Sequence, residues 1–366
     1  MNYASLEDSN VDNVSVLSTP QQVKNDLPQS AASMRTVQHA REELERILDG
    51  EDRRLFAVVG PCSIHHPDAA LEYAEKLKSL ATAVSDTLFI VMRVYVEKPR
   101  SSTGWKGLIN DPYLNETFQM DKGIRLARRL LLDVAELGLP AATEWLDTLL
   151  PQYIGDLVSL GVIGARTSEA QTHREMASGL SMPIGFKNAT DGSLDAALNG
   201  MRSAMQAHHF LGLSANGLPA SISTTGNAYP HVVLRGGREP NYTAEHIAEC
   251  VAALARARLP RRIVVDCSHG NSGKNPRRQP FVLNQVVQQL EQGNRSIKGF
   301  MLESHLEGGQ QAFPLEAHRV NPRCSITDAC LEWTATERVL RETHGRLQRL
   351  FHAKAPALPR HERTPQ

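Results

Sequence analysis

A closed (β/α)8 barrel is the fold class this sequence predicts, and two observations predict it. Eight short apolar runs alternate with helix-length stretches along about 310 residues, the pattern of a parallel sheet and the strand number of a barrel. The first run leads into "GPCSIHHP" rather than a Gly-rich phosphate loop, which argues against the open, doubly wound alternative.

The elements follow in order. A polar arm occupies 1–35, and the unit from 36 to 353 carries the barrel. "LFAVVGPCS" (55–63) has the continuous apolar character of a buried strand, and "DAALEYAEKLKSLA" (68–81) spaces its apolar residues for a helix. "LFIVMRVYVEK" (88–98) is the second strand, followed by the loop "PRSSTGWKGLINDP", rich in turn formers. "DKGIRLARRLLLDVAELG" (121–138) is a core-facing amphipathic helix with Gly138 placed as its C-cap. "PAATEW" (140–145), "GVIGAR" (161–166), "PIGFKN" (183–188), "HVVLRGG" (231–237), "RIVVDCSH" (262–269) and "IKGFMLES" (297–304) complete the eight. Between the fifth and sixth, residues 209–230 place two short apolar stretches around "SANG", which predicts an inserted β-hairpin before the sixth barrel strand. The tail 354–366, with "LPRHERTPQ", reads as disordered.

The 40 basic residues balance 40 acidic ones, whereas nucleic-acid binders usually carry a basic excess, so no nucleic-acid partner is expected. No apolar run nears the roughly 20 residues that cross a bilayer, so no membrane association is expected. The start "MNYASLEDSNVDNV" lacks the basic and apolar regions of a signal peptide. Five scattered cysteines make no disulfide framework, and the chain reads as cytoplasmic.

Reactive side chains collect at the ends of the strand runs, and in a barrel these ends converge on one mouth, where the active sites of this fold are built. Cys62, His269 and Glu303, with Asp328 just past the last strand, are metal-ligand types. One thiolate, one imidazole and two carboxylates suit a single divalent ion such as Mn, Fe, Co or Zn. Alone, Cys62 reads equally as a buried small hydrophobe and His269 as a hydrogen-bonded loop residue. Their convergence is what points to metal. Arg93, Lys98, Arg166, Lys187 and Arg235 form a cationic group. Glu144 and the ligand carboxylates can neutralise some of them, and the excess points to a ligand with several negative charges. Arg100 and Lys106, on the loop after the second strand, fit either a second phosphate or a solvated basic surface. His65 and His66 suit a helix start, and His208 and His209 packing or surface positions.

Longer stretches carry a resemblance. "GPCSIH", "VMRVYVEKPRSSTGWKGLINDP", "GARTSEAQTHREMASGLSMPIGFKNATDGS", "HVVLRGG", "DCSHGNSGK" and "SITDAC" run in order over about 55–333 and resemble the class I 3-deoxy-D-arabino-heptulosonate-7-phosphate (DAHP) synthases. The resemblance implies a metal-dependent barrel that condenses phosphoenolpyruvate with erythrose 4-phosphate at the start of the shikimate pathway. By matched position it implies metal ligands Cys62, His269, Glu303 and Asp328. Arg93 and Lys98 would meet the phosphoenolpyruvate carboxylate, and Arg166, Lys187 and Arg235 its phosphate. Arg100 and Ser101 would take the aldose phosphate, with Ser101 standing where the family usually has Thr. Lys98 and Glu144 are the candidates for proton handling. In similar proteins the arm and hairpin build a subunit interface, in a dimer or tetramer, and a pocket for an aromatic amino acid inhibitor. Gln152, Leu180, Ser181, Phe210 and Gly212 match that pocket. Gly212 and the arm segment "VLSTPQQV" resemble the tyrosine-inhibited branch, a glycine leaving room for a phenol hydroxyl. The other reading of Leu180 and Phe210 is hairpin-to-barrel core. Cys330 is expected near Cys62, where oxidation would link the two and expel the metal. A synthase using another phosphorylated aldose, such as arabinose 5-phosphate, and a non-catalytic aromatic amino acid sensor are the rival readings. The arm and hairpin speak against the first, and the intact ligand and cation sets against the second.

Overall fold

The computed structural model describes residues 7–353 apart from Ser101 and 314–316. The tail 354–366 and Ser101 therefore lie outside the described residues. Eight parallel strands close a barrel: β1 (Leu55–Gly60), β2 (Leu88–Arg93), β3 (Ala141–Trp145), β4 (Leu160–Ile163), β5 (Ile184–Lys187), then, after the hairpin β6 (His209–Leu213) and β7 (Pro219–Ser223), β8 (Pro230–Leu234), β9 (Ile263–Asp266) and β10 (Ile297–His305). Each pairs with the next in parallel register, and β10 pairs back onto β1 to close the ring. A two-residue strand, β11 (Leu331–Glu332), pairs in parallel beside the end of β10, at Ser304 and His305. The runs of the sequence reach further than the strands. β2 stops at Arg93, and Val94, Tyr95 and Val96 stay buried as irregular chain.

Two apolar layers explain why nearly every strand residue is buried. Facing inward, Phe56, Val58, Val91, Ala142, Leu160, Val162, Val233, Val264 and Met301 fill the barrel. The alternate residues pack outward on the helices: α3 (Pro67–Ala83), α4 (Met120–Glu136), the short α5 (Pro151–Ile154), α6 (Gln171–Gly179), α7 (Asp195–Ala204), α8 (Ala244–Arg256), the one-turn α9 (His269–Ser272), α10 (Gln279–Glu291) and α11 (Trp333–His352), numbered after the two arm helices. The second arm helix, α2 (Ala31–Asp49), runs unbroken past residue 35 because Ser30 caps its first turn and Gly50, at φ 81°, ends it. Its Leu44, Ile47 and Leu48 plug the bottom of the barrel. The first, α1 (Pro20–Asp26), is fastened by Arg128 of α4. That guanidinium is 1% exposed and donates to the Leu27 and Tyr153 carbonyls and, at 2.8 and 2.9 Å, to both oxygens of Asp156. The hairpin stands on the outside, Phe210 opposite Ile222 and Gly212 opposite Ala220.

Candidate active site

Side chains alternate across a strand, so the inward set can be continued one layer up from the apolar filling. Two residues beyond Val91, Ala142, Val233, Val264 and Met301 stand Arg93, Glu144, Arg235, Asp266 and Glu303, and two beyond Gly185 stands Lys187. Thus a ring of charge lies directly on an apolar floor. Burial there demands pairing. Arg93 donates to Glu303 at 2.9 Å, and Lys187 to Glu144 at 2.7 Å. Burial by itself would raise the Glu144 carboxyl, but Lys187 beside it brings it down to about 2. The Lys187 ammonium is held above its ordinary range, burial being outweighed by Glu144.

The ring opens into a cavity of about 400 Å³ lined by seven Lys and Arg side chains against two carboxylates, Glu144 and Asp328. Among the seven are all five cations singled out in the sequence, and Arg100. The seventh, Lys274, sits on a loop at φ 60° and reaches Asp328 at 3.3 Å. Arg235 is aimed by its neighbours: its N–H donates to Asn188 Oδ1 at 2.8 Å, and Asn241 shares that oxygen at 3.2 Å. Gly236, at φ 76°, lets this loop pass over the β9 turn, where a Cβ would lie 2.5 Å from the Asn271 nitrogen. Lys106 lines a separate cleft beside the loop.

Below one side of this cavity lies the donor cluster. Cys62 Sγ and a carboxylate oxygen from each of Glu303 and Asp328 lie within 4.8 Å of one another. His269 joins through Glu303, its Nε2 3.6 Å from Oε1. Glu303 is fixed by Gln279, which bonds both its N–H (2.8 Å) and its carbonyl (2.9 Å). Lys98 Nζ lies 2.8 Å from Cys62 Sγ and 3.7 Å from Asp328 Oδ2. Burial opposes its charge, yet Cys62, Glu303 and Asp328 hold the ammonium above its usual range. The Cys62 thiol is pushed up, by burial first and then by Glu303. Asp328 is brought down to about 2, burial being outweighed by Lys98 and Lys274. A soft sulfur and two carboxylates on one spot, with an imidazole nitrogen beside one of the carboxylates, make a donor set that fits a borderline divalent ion. Cys330 Sγ accepts from the Cys62 N–H at 3.4 Å, so the two cysteines are neighbours.

The hairpin and α6 enclose a second cleft of about 320 Å³ whose walls include Gln152, Leu180, Phe210 and Gly212. Ser181, next to Leu180, is exposed and is not among its lining residues. The space above Gly212 is taken by its own hairpin partner strand, since a Cβ there would lie 2.6 Å from Ile222 Cγ1. Sequence reading gives no role to Lys274 or to Tyr95, whose ring lies 3.5 Å under the Arg93 guanidinium, and takes Asp266 only as part of the polar end of its strand. Counting in twos from Val264 finds Asp266; nothing local in the sequence marks the other two.

Known proteins resemble this chain over nearly its whole length. The family model described as "DAHP synthetase I family" matches residues 23–341. A Tyr-sensitive phospho-2-dehydro-3-deoxyheptonate aldolase of Salmonella typhimurium is 49% identical over 344 residues, 94% of this chain and 97% of that protein. The Phe-sensitive enzyme of Escherichia coli is 47% identical over 93% of this chain and 97% of its own length. The solved structure of the corresponding aldolase from Francisella tularensis superposes with a TM-score of 0.90 at 43% identity, covering 93% of this chain and 99% of that one. This chain belongs to the DAHP synthetase I family.

Proposed function

We infer that the chain condenses phosphoenolpyruvate with erythrose 4-phosphate and water to give DAHP and phosphate, as a DAHP synthase under feedback control by tyrosine. The observation that carries this reading is one mouth holding both a surplus of cations and a metal-type donor cluster. Two phosphorylated substrates need that surplus, because buried cations without anions are unfavourable.

Each group has work to do. Arg93 and Lys98 face the phosphoenolpyruvate carboxylate, while Arg166, Lys187 and Arg235 grip its phosphate across the cavity. Arg100, at the cavity rim, takes the aldose phosphate, with Ser101 as its partner. Held this way, carbon 3 of phosphoenolpyruvate bonds to the aldehyde carbon, water oxygen bonds to carbon 2, and the carbon 2–oxygen bond to phosphate breaks. Orientation of two anions against their mutual repulsion is the main contribution of the cations. Glu144, kept ionised by Lys187, can accept a proton from the attacking water, and Lys98, kept charged, can donate one toward the aldehyde oxygen. A divalent ion, Mn, Fe, Co or Zn, held by Cys62, His269, Glu303 and Asp328 would supply Lewis-acid polarisation of that aldehyde.

Regulation belongs to the hairpin cleft, whose mixed lining (Gln152 with Leu180 and Phe210) suits an aromatic amino acid. The Salmonella typhimurium relative is named Tyr-sensitive, which favours tyrosine. Exposed Val14, Val16, Leu211 and Leu218 on the arm and hairpin, 65–97% accessible, are surfaces for a homodimer or tetramer. No helix among the described residues is long and apolar enough to cross a membrane, in keeping with a cytoplasmic enzyme.

The test is phosphoenolpyruvate consumption by metal-loaded protein with and without erythrose 4-phosphate, repeated after chelation and with each aromatic amino acid. Consumption that needs aldose and metal and is suppressed by tyrosine is the expected result. Consumption without aldose, or none at all, refutes it.

A further inference from the structure

Asp266 is the one member of the inward charged ring that neither lines the cavity nor belongs to the donor cluster. It is fully buried at the end of β9. Its two oxygens do different things. Oδ1 accepts the Ser268 N–H at 3.0 Å and the Ser268 hydroxyl at 2.5 Å, closing the turn into α9. Oδ2 makes no aligned hydrogen bond to any described group, His269 included, yet lies 2.8 Å from Nδ1 of that residue, close enough to accept its proton after a small turn of the ring. Because the Ser268 hydroxyl spends its single proton on Asp266, its oxygen, 2.8 Å from the same Nδ1, can only accept there. Two acceptors therefore face Nδ1, and in the neutral imidazole they place the proton on it. The other nitrogen, Nε2, is left with its lone pair toward Glu303 at 3.6 Å, on the side of Cys62 and Asp328. Two acceptors so close favour a cation between them. The His269 backbone is itself held in the left-handed region, φ 50°, which is unfavourable for a non-glycine residue and is retained where neighbours enforce it.

We propose that Asp266 is the positioning residue of this site: through its Oδ2 it fixes the Nδ1–H tautomer and the ring direction of His269, so that Nε2 is presented as a ligand to a divalent ion. This rests on the metal-site reading given above. A carboxylate behind a metal-binding histidine is a general device for setting tautomer and basicity. A purely structural role predicts something different. The turn bond needs only Oδ1, so an amide would serve as well.

Asp266→Asn separates the two. It keeps the shape and the Oδ1 acceptor, but turns an NH2 toward Nδ1 and so demands the opposite tautomer. Three measurements on full-length protein decide the matter: manganese(II) affinity by competition with a chromophoric chelator, the histidine tautomer from 15N-labelled, chelator-treated protein, and thermal unfolding. Asp266→Asn is expected to weaken manganese about 10–100-fold and to move the His269 proton to Nε2. Ser268→Ala, which removes only the weaker acceptor, should stay within about threefold of wild type. Unchanged manganese affinity in Asp266→Asn, or a loss that appears in Ser268→Ala instead, overturns the assignment. Should Asp266→Asn not fold, the wild-type tautomer decides: a proton on Nε2 sinks the proposal, and one on Nδ1 supports it. A wild-type chain that binds no manganese refutes the metal-site reading, and that result is separate from the tautomer.

Discussion

Glu97 gives the sharpest test of how burial governs this molecule. It is 4% exposed, immediately before Lys98, and its carboxylate accepts only long bonds, 3.2–3.3 Å, from the Leu146 and Asp147 N–H groups. Burial is the leading influence and raises its carboxyl from 4.5 to about 7. The fold therefore binds a proton that the unfolded chain releases. Between pH 4.5 and 7 the folded state carries one more proton than the unfolded state, so stability falls as pH rises. At 1.36 kcal/mol per unit, the loss approaches about 3 kcal/mol and levels off above pH 7. His65, His231 and His305 work the other way. Burial lowers them to about 4, 3 and 3, so they remove stability as pH falls below 6.5. Comparison with Glu97→Gln cancels the histidines and leaves Glu97 alone. Urea unfolding of both proteins at pH 5, 6, 7 and 8 should show the variant gaining on wild type by about 2.5 kcal/mol from the lowest pH to the highest, since part of the loss already falls below pH 5, on top of a constant offset of about 1 kcal/mol for weakened N–H bonding. Parallel curves would mean that Glu97 titrates normally and that its burial is relieved in a way the hydrogen bonds do not account for.

Other consequences are as direct. Arg235 meets no carboxylate among the described residues, so Arg235→Leu should leave urea stability within about 0.5 kcal/mol of wild type while raising the KM for phosphoenolpyruvate about 10–100-fold. Lys187→Met, by contrast, strands Glu144 and should cost about 3–5 kcal/mol in the same unfolding assay. Chelation should abolish turnover, and added Mn, Fe, Co or Zn should restore it, whereas Cys62→Ala should weaken manganese binding in a titration. Leu180→Trp fills the hairpin cleft and should lift tyrosine inhibition at least about tenfold with turnover retained. Mild oxidation should link Cys62 to Cys330, read by peptide mass spectrometry, with both thiols free in inactive protein as the contrary result.

What could be read from the sequence, and what could not, follows from how each side chain reaches the site. Arg93, Glu144, Lys187 and Glu303 stand on strands and Arg235 one residue past one, where a period of two carries an apolar filling residue into a mouth residue, and the run itself announces the position. Asp266 obeys the same count from Val264. Sequence places it in the polar end of its strand, but with the reactive residues Cys267, Ser268 and His269 directly after it nothing there separates its role from theirs. Lys274 belongs to a different class. It meets Asp328 across 54 residues of chain, from a left-handed loop position that no periodicity marks. Gly212 was legible as a glycine but not as to cause. Sequence alone gives the missing side chain to a ligand, whereas the fold gives the space to Ile222 across the hairpin.

The same geometry accounts for how the mouth can hold so much buried charge. An ionic ring on an apolar floor is a weak source of stability, because desolvation offsets most of the Coulomb gain. Its pairs are also unequal in purpose. On the proposed function, Arg93–Glu303 and Lys187–Glu144 each set a substrate-binding cation against a carboxylate with its own task, one in the donor cluster and one in proton handling. An anion entering the cavity then finds cations that are already desolvated and aimed, so little reorganisation is needed on binding. The pairs hold that arrangement until substrate arrives, and the apolar layers beneath, plugged by α2, supply the stability that the ring does not.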